Sequence, residues 1–75
     1  MTDKELVINV LKEHSCLTAN EIRGFIFRTT GDLISPQKIA SILRPLIAAA
    51  YATKGINPSN NKTVYWLTQL GKEKF

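Results

Sequence analysis

Apolar residues recur at helical spacing through residue 48, and a strand-like pattern follows from residue 51. The clearest helical segment is 35–48, where five apolar side chains share one side of the helix: Ile39, Ile42, Leu43, Leu46 and Ile47. Ser35 is a suitable N-cap for this helix, and Pro36 occupies its first position, where a missing backbone donor costs nothing. The pattern therefore predicts a helix with one packed side and one exposed side.

The exposed side of this helix carries Gln37, Ser41, Arg44 and Ala48, none of which is acidic. Arg can bind guanine through two hydrogen bonds and Gln can do the same for adenine, while Ser and Ala let the backbone approach a groove floor. This face is typical of a helix that reads nucleic acid. The alternative interpretation is an ordinary solvated face that happens to lack acidic residues.

Two earlier helices are predicted by their start signals. Each start carries a capping box, in which two residues three apart satisfy each other's backbone N–H: Thr2 with Glu5, and Thr18 with Glu21. Met1 and Leu6 can form a hydrophobic staple around the first box. Gly31 lies where the second helix is expected to end in the left-handed conformation, near residue 29 or 30.

Two residues depart from the simple helical pattern. Ile8 falls among the polar residues of the first helix, where a singly exposed aliphatic side chain is expected and a subunit contact is the alternative. Pro45 lies deep in segment 35–48 and removes one helical hydrogen bond. Because the apolar stripe continues in register beyond it, we expect a kinked helix rather than two separate helices.

The last third of the chain predicts a hairpin and a short terminal turn or helix. Segments 51–54 and 63–67 are short and β-prone, and segment 55–62 between them is rich in turn formers. We therefore expect a hairpin with a long tip, followed by a last turn or helix from residue 68 to 75. The sequence as a whole predicts one α+β domain spanning residues 1–75, with three helices and a C-terminal two-stranded hairpin.

Composition and charge limit the chemical classes of partner that this chain can bind. The chain has 75 residues, with ten Lys and Arg against six Asp and Glu, and its formal charge of +4 favours a polyanion. Nucleic acid is the first candidate and an acidic protein the second. The single Cys16 cannot form an internal disulfide, and neither a signal peptide nor a membrane-spanning run is recognisable. A cytoplasmic protein without a membrane partner is expected.

No catalytic or metal-binding constellation can be recognised. His14 and Cys16 are close in sequence, but two ligands without a second pair do not make a structural zinc site. A nucleophilic Cys–His pair needs an orienting third group, and a phosphate loop needs a glycine-rich run. We therefore expect no enzyme activity, no metal and no cofactor.

The order of the elements and three local motifs carry a family resemblance. Segments 17–22, 43–49 and 65–71 read LTANEI, LRPLIAA and YWLTQLG. They resemble, in order, the start of the second helix, the end of the recognition helix and the segment after the wing in winged helix-turn-helix proteins. The last motif is similar to that of regulators of the multiple-antibiotic-resistance type. The resemblance spans about residues 4–71 and implies a winged helix-turn-helix fold.

The resemblance also implies which residues bind DNA. In the third helix, residues that would enter the major groove are Ser35, Gln37, Lys38, Ser41 and Arg44. In the hairpin, residues that would contact the backbone or the minor groove are Lys54, Asn60, Asn61 and Lys62. Arg23 and Arg28 would be secondary phosphate contacts.

This chain departs from the family at the exit of the third helix and at its ends. Ala50 stands where such proteins usually have glycine, and segment 30–34 is longer than the tightest turns of the family. The long dimerising helices of the antibiotic-resistance type are not recognisable. The oligomeric state is therefore open, with a homodimer as one option.

The sequence favours a sequence-specific double-stranded DNA-binding protein, a small transcriptional regulator with helix 35–48 in the major groove and hairpin residues 55–62 on the backbone or minor groove. The alternative is a protein–protein interaction module that docks through Ile8, Phe27 or the hairpin. A third option is single-stranded nucleic-acid binding by stacking of bases on Tyr65 or Trp66, although Trp66 is expected to pack within the hairpin.

Overall fold

All three predicted helices form, and a two-stranded hairpin follows them. The computed structural model describes residues 2–75, and its elements in chain order are α1 (Asp3–Glu13), α2 (Ala19–Thr30), α3 (Pro36–Ala48), β1 (Ala52–Asn57), β2 (Lys62–Leu67) and α4 (Gln69–Lys74). The two strands are antiparallel, so the chain has the expected winged helix-turn-helix architecture. We call the β1–β2 hairpin the wing.

Side-chain hydrogen bonds fix the first residues of α1 and α2. The hydroxyls of Thr2 and Thr18 accept the N–H groups of Glu5 and Glu21, each at 3.2 Å. Each glutamate carboxylate in turn accepts the N–H of its threonine, which confirms both capping boxes. A cap of this kind contributes about 1 kcal/mol. The expected staple of Met1 on Leu6 includes a residue outside the described ones.

The connection from α2 to α3 also follows its sequence signals. Gly31 ends α2 with φ of 79°, in the left-handed region that favours glycine. Ser35 caps α3, and its hydroxyl accepts the Lys38 N–H at 3.1 Å. Pro45 lies inside a single helix, as expected from the continuous apolar stripe.

The core lies where the three helices meet the base of the wing. The most completely buried side chains come from all three helices: Val7, Ile22, Ile26, Ile39 and Leu43. Ala52 and Leu67, which pair at the base of the wing, join the same cluster. The face of α3 opposite this cluster is therefore left for solvent or a partner.

The prediction that Ile8 is exposed is wrong. Ile8 is only 6% exposed, and it borders a depression shared with the C-terminal Phe75. Lys12 Nζ donates to the main-chain oxygen of Phe75 at 2.9 Å, and Lys4 lies over the Phe75 ring at 5.9 Å. The end of the chain thus packs against α1, a long-range contact that the helical period of α1 alone does not reveal.

The wing is longer and its tip is shorter than predicted. β1 continues through Gly55 to Asn57, and β2 begins at Lys62, so the wing tip is only residues 58–61. The strand continues through Gly55 because the Trp66 ring lies over it; a Cβ built on Gly55 would lie 3.0 Å from Trp66 Cη2. Trp66 therefore packs within the hairpin, as expected from the sequence.

A short extended segment ties the wing to the helices. Leu17, between α1 and α2, pairs with Tyr65 through two backbone hydrogen bonds of 3.1 and 2.8 Å. Leu17 is itself buried in the core. The outer edge of β2 is therefore fixed to the start of α2 at this point.

The connection between α3 and the wing is tight and uses a residue other than glycine. Ala50 adopts φ of 66°, in the left-handed region that favours glycine. Thr68 holds this connection from the far side of the wing: its hydroxyl donates to the Ala50 carbonyl at 2.6 Å, and its N–H donates to the Tyr51 carbonyl at 3.1 Å. Gly71 in α4 lies directly against the Tyr51 carbonyl.

None of the helices in residues 2–75 has the length and apolar character needed to cross a membrane.

We expect Gly71→Ala to lower the free energy of unfolding by about 1–3 kcal/mol, because the added Cβ would overlap the Tyr51 carbonyl oxygen and force the backbone apart. Gly24→Ala is the matched control. Gly24 lies within α2 with open space around its Cα, so the same substitution should raise stability by about 0.5–1 kcal/mol. Urea denaturation of both variants measures the difference, and an equal effect of the two substitutions would contradict the close approach.

Candidate nucleic-acid interface

The exposed face of α3 is uncovered. We call the five predicted DNA-binding residues on this helix and at its start the α3 ridge: Ser35, Gln37, Lys38, Ser41 and Arg44. All five are exposed, and their helix turns Ile39, Leu43 and Leu46 into the core instead. Hence α3 presents a row of donors and cations to solvent. Ser35 differs from the other four because its hydroxyl oxygen already caps the helix.

Lys54 lies next to this ridge. It is exposed on β1 and pairs with Tyr65 on β2. Side chains from α3 and the wing together line a depression of about 150 Å³, which we call the helix–wing depression; its lining residues are Ala40, Arg44, Ile47, Lys54 and Tyr65. The fold therefore brings two of the predicted DNA-binding cations together, one from the helix and one from the wing.

The sequence predicts Tyr65 only as a stacking residue in the single-strand alternative, not among the residues that bind a duplex. It borders the helix–wing depression and also a second depression, of about 650 Å³, between the start of α2 and the wing tip. The strand alternation places Tyr65 on the same face of the wing as the buried Leu67. Lys54, its partner across the hairpin, lies on that face too. Only the register of the hairpin reveals this position.

The wing tip uses its asparagines for its own turn. The Asn57 side-chain oxygen accepts the Ser59 N–H at 2.9 Å, and the Asn60 side-chain oxygen accepts the Lys62 N–H at 3.0 Å. Asn61 adopts φ of 58°, a conformation that asparagine tolerates better than most residues. The turn is therefore built by local side-chain hydrogen bonds, and Asn60, Asn61 and Lys62 remain exposed.

Lys62 and Asn60 border the second depression together with the start of α2, including Thr18 and Asn20. Glu21 also borders it, and its carboxylate accepts the Thr18 N–H at 3.0 Å. The wing tip therefore lies beside the N-terminus of α2 rather than apart from the domain.

The structure does not bring Arg28 into the helix–wing depression. Arg28 lies over the Phe25 ring at 5.8 Å and borders a separate depression with Glu21. The His14 ring also stacks on Phe25, with the two ring centroids 4.1 Å apart. Arg28 therefore belongs to the surface of α2, where an acidic residue is close.

Charge is divided along the chain in a way that the composition alone conceals. α3 and the wing together carry four of the ten basic residues and none of the six acidic ones, whereas the rest of the chain has six of each. Every acidic residue lies in or next to α1, α2 or α4. The α3 ridge and the wing therefore form the positive side of the molecule, and this division is a sequence signal for the site.

Within residues 2–75, no group of three His, Cys, Asp or Glu side chains is arranged to hold a metal ion. Cys16 is exposed and adopts φ of 58° between α1 and α2.

Comparison with known proteins supports the fold. No protein-family model and no curated protein matches the sequence significantly. The crystal structure of a candidate transcriptional regulator from Thermoplasma acidophilum is similar, with a TM-score of 0.72 and 23% sequence identity over 93% of this chain and 70% of that one. The similarity shows that the two chains share a fold.

We expect Asn60→Ala to loosen the wing tip by about 0.5–1.5 kcal/mol, because the Lys62 N–H loses its acceptor. Hydrogen exchange of the Lys62 amide should accelerate. Asn60→Asp retains an acceptor oxygen and should leave this exchange rate near that of the wild type. Asn61→Gly is a second control: because glycine adopts the same φ freely, the Lys62 amide should exchange at about the wild-type rate. A Lys62 amide that exchanges equally in Asn60→Ala and the wild type would contradict this role.

Proposed function

We propose that the protein is a sequence-specific double-stranded DNA-binding module, acting as a small transcriptional regulator. In this proposal α3 enters the major groove, and wing residues 55–62 contact the backbone or the minor groove. The winged helix-turn-helix fold and its similarity to a candidate transcriptional regulator support this function class.

The observation that carries the proposal is the exposure of the α3 ridge in an acid-free part of the chain. Gln37, Ser41 and Arg44 are all exposed, and no carboxylate occurs in segment 33–72. A helix of this kind fits the major groove of B-form DNA, which is wide enough to admit one helix. Had these side chains been covered by another segment, the helix could not approach a base pair.

The division of charge supports one orientation of approach. A duplex carries about one negative charge per 1.7 Å of its axis, so it attracts the face that contains α3 and the wing more strongly than the rest of the molecule, where acidic and basic residues are equal in number. This attraction acts before any base is contacted. It also makes binding dependent on salt concentration, because bound cations release counterions from the duplex.

α3 and the wing are assigned different contacts with the duplex. In helix-turn-helix proteins the N-terminal residues of the recognition helix contact base edges. Gln37, Lys38 and Ser41 lie in this part of α3, and we assign them to base readout. Lys62, with the amides of Asn60 and Asn61, is assigned to the backbone or minor groove.

A protein-docking function is the second candidate. Phe27 on α2 is 50% exposed and Leu33 in the following connection is 68% exposed, which is the observation in its favour. Ile8 no longer supports it, because that side chain is buried. An intact protein that ignores DNA and is recovered with one stoichiometric protein would favour this candidate.

We expect Gln37→Ala and Lys62→Ala to weaken DNA binding in different ways. Loss of a base contact at Gln37 should cost about 1–3 kcal/mol on a preferred duplex and little on other sequences. Loss of Lys62 should weaken all duplexes alike and reduce the slope of log K against log salt by about 0.9. Selection of bound sequences from a random duplex pool, followed by titrations over a salt series, measures both effects.

Lys74→Ala is the matched control for charge. Lys74 ends α4 and borders a depression together with Glu5, on the side that carries acidic residues. If this protein binds DNA through α3 and the wing, Lys74→Ala should change affinity much less than Lys62→Ala. Equal losses would indicate attraction by net charge only, and no binding to any duplex at low salt would overturn the proposal.

A further inference from the structure

The helix–wing depression is built from three separate elements. α3 contributes Arg44, β1 contributes Lys54 and β2 contributes Tyr65, while Ala40 and Ile47 supply apolar lining. Arg44 is in the third of the four turns of α3, away from the N-terminal residues that reach base edges. Its location beside Lys54 therefore calls for a role different from that of Gln37.

Two cations at one depression repel each other, and this repulsion is relieved by an anion between them. No carboxylate is available within α3 or the wing to play that part, because segment 33–72 contains none. A guanidinium fits phosphate oxygens through paired hydrogen bonds, and an ammonium adds a point charge from the other side. The electrostatics of the depression therefore fit an external oxyanion.

The third polar group of the depression, the Tyr65 hydroxyl, also favours an anion. Tyr65 supplies a hydroxyl, which donates to an anionic oxygen without adding charge. The backbone of Tyr65 is fixed on both sides, by Lys54 across the hairpin and by Leu17 at the outer edge of β2. The hydroxyl is thus carried on a backbone that is already held in place.

The size of the depression limits the ligand. Sites for small organic ligands usually measure about 300–1,000 Å³. The helix–wing depression has about 150 Å³, and it is open to solvent between α3 and the wing. It accommodates one phosphate group with part of its chain, and it is too small to enclose a nucleotide.

We propose that Arg44, Lys54 and Tyr65 together bind one phosphate of the DNA backbone in the helix–wing depression. This inference rests on the proposed DNA-binding function and deepens it. Arg44 then contributes to affinity for every sequence, and the choice among sequences comes from the N-terminal part of α3. The same phosphate fixes the distance between the recognition helix and the wing on the duplex.

The experiment compares six variants on two duplexes, the preferred one from the random pool and a scrambled one of the same composition. Four variants test the depression: Arg44→Gln, Lys54→Gln, their double combination and Tyr65→Phe. Two are controls: Lys38→Gln, which removes a cation of α3 outside the depression, and the combination of Lys38→Gln with Arg44→Gln. Dissociation constants are measured over a salt series for each. Circular dichroism melts of all variants check that they fold.

Arg44→Gln should lower the affinity for the preferred and the scrambled duplex equally, by about tenfold, and so should Lys54→Gln. Because the two cations share one phosphate, the double variant should lose less than the product of the single losses, and its salt slope should fall by about 0.9, the value for one phosphate. Tyr65→Phe should weaken both duplexes equally and leave the salt slope unchanged, since it removes no charge. Lys38→Gln should combine multiplicatively with Arg44→Gln.

Three results would overturn the phosphate site while leaving DNA binding intact. Arg44→Gln could weaken only the preferred duplex, which would make Arg44 a base reader. The loss of affinity in the double variant could equal the product of the two single losses, which would show that Arg44 and Lys54 do not share a phosphate. Inorganic phosphate, titrated at constant ionic strength, could bind saturably to the wild type and not to Arg44→Gln, while the two proteins bind duplexes with equal affinity. That result would identify a free anion as the ligand. Absence of any duplex binding would instead overturn the proposed function together with this site.

Discussion

The position of the wing depends on one close backbone approach, between Gly71 in α4 and the Tyr51 carbonyl. Because glycine has no Cβ, α4 can lie against the segment that connects α3 to β1, and Thr68 adds two hydrogen bonds to the same connection. The chain after the wing therefore holds the chain before it. At the other edge, the pairing of Leu17 with Tyr65 fixes β2 to the helices. The wing is thus held at both edges of its base, so its side chains have a defined position relative to α3.

Most of the fold could be predicted because its signals are local. Helix starts are set by side chains three residues apart, as at Thr18 and Glu21, and a helix end is set by the φ that Gly31 can adopt. The stripe of α3 is also local, since helical geometry alone places Gln37 and Arg44 on the side opposite Ile39. The sequence therefore identified the α3 ridge, and the structure adds that nothing within residues 2–75 buries it.

What the sequence did not reveal depends on contacts between distant residues. Ile8 is buried because Phe75 returns to α1, and no period within α1 contains that information. The wing strands extend beyond their β-prone cores because Trp66 covers Gly55 across the hairpin. The pairing of Tyr65 with Lys54 needed the strand register, which turn-rich residues at the tip leave undetermined. The depression between helix and wing follows from that register.

The reverse side of the wing has a practical property. Trp66 pairs with Thr53 while the neighbouring pair is Lys54 with Tyr65, and successive residues of a strand face opposite sides, so the indole lies on the face turned away from the helix–wing depression. The chain contains a single tryptophan. Its emission therefore reports on the face of the wing where the ring covers Gly55, and a phosphate bound in the helix–wing depression would not contact the indole.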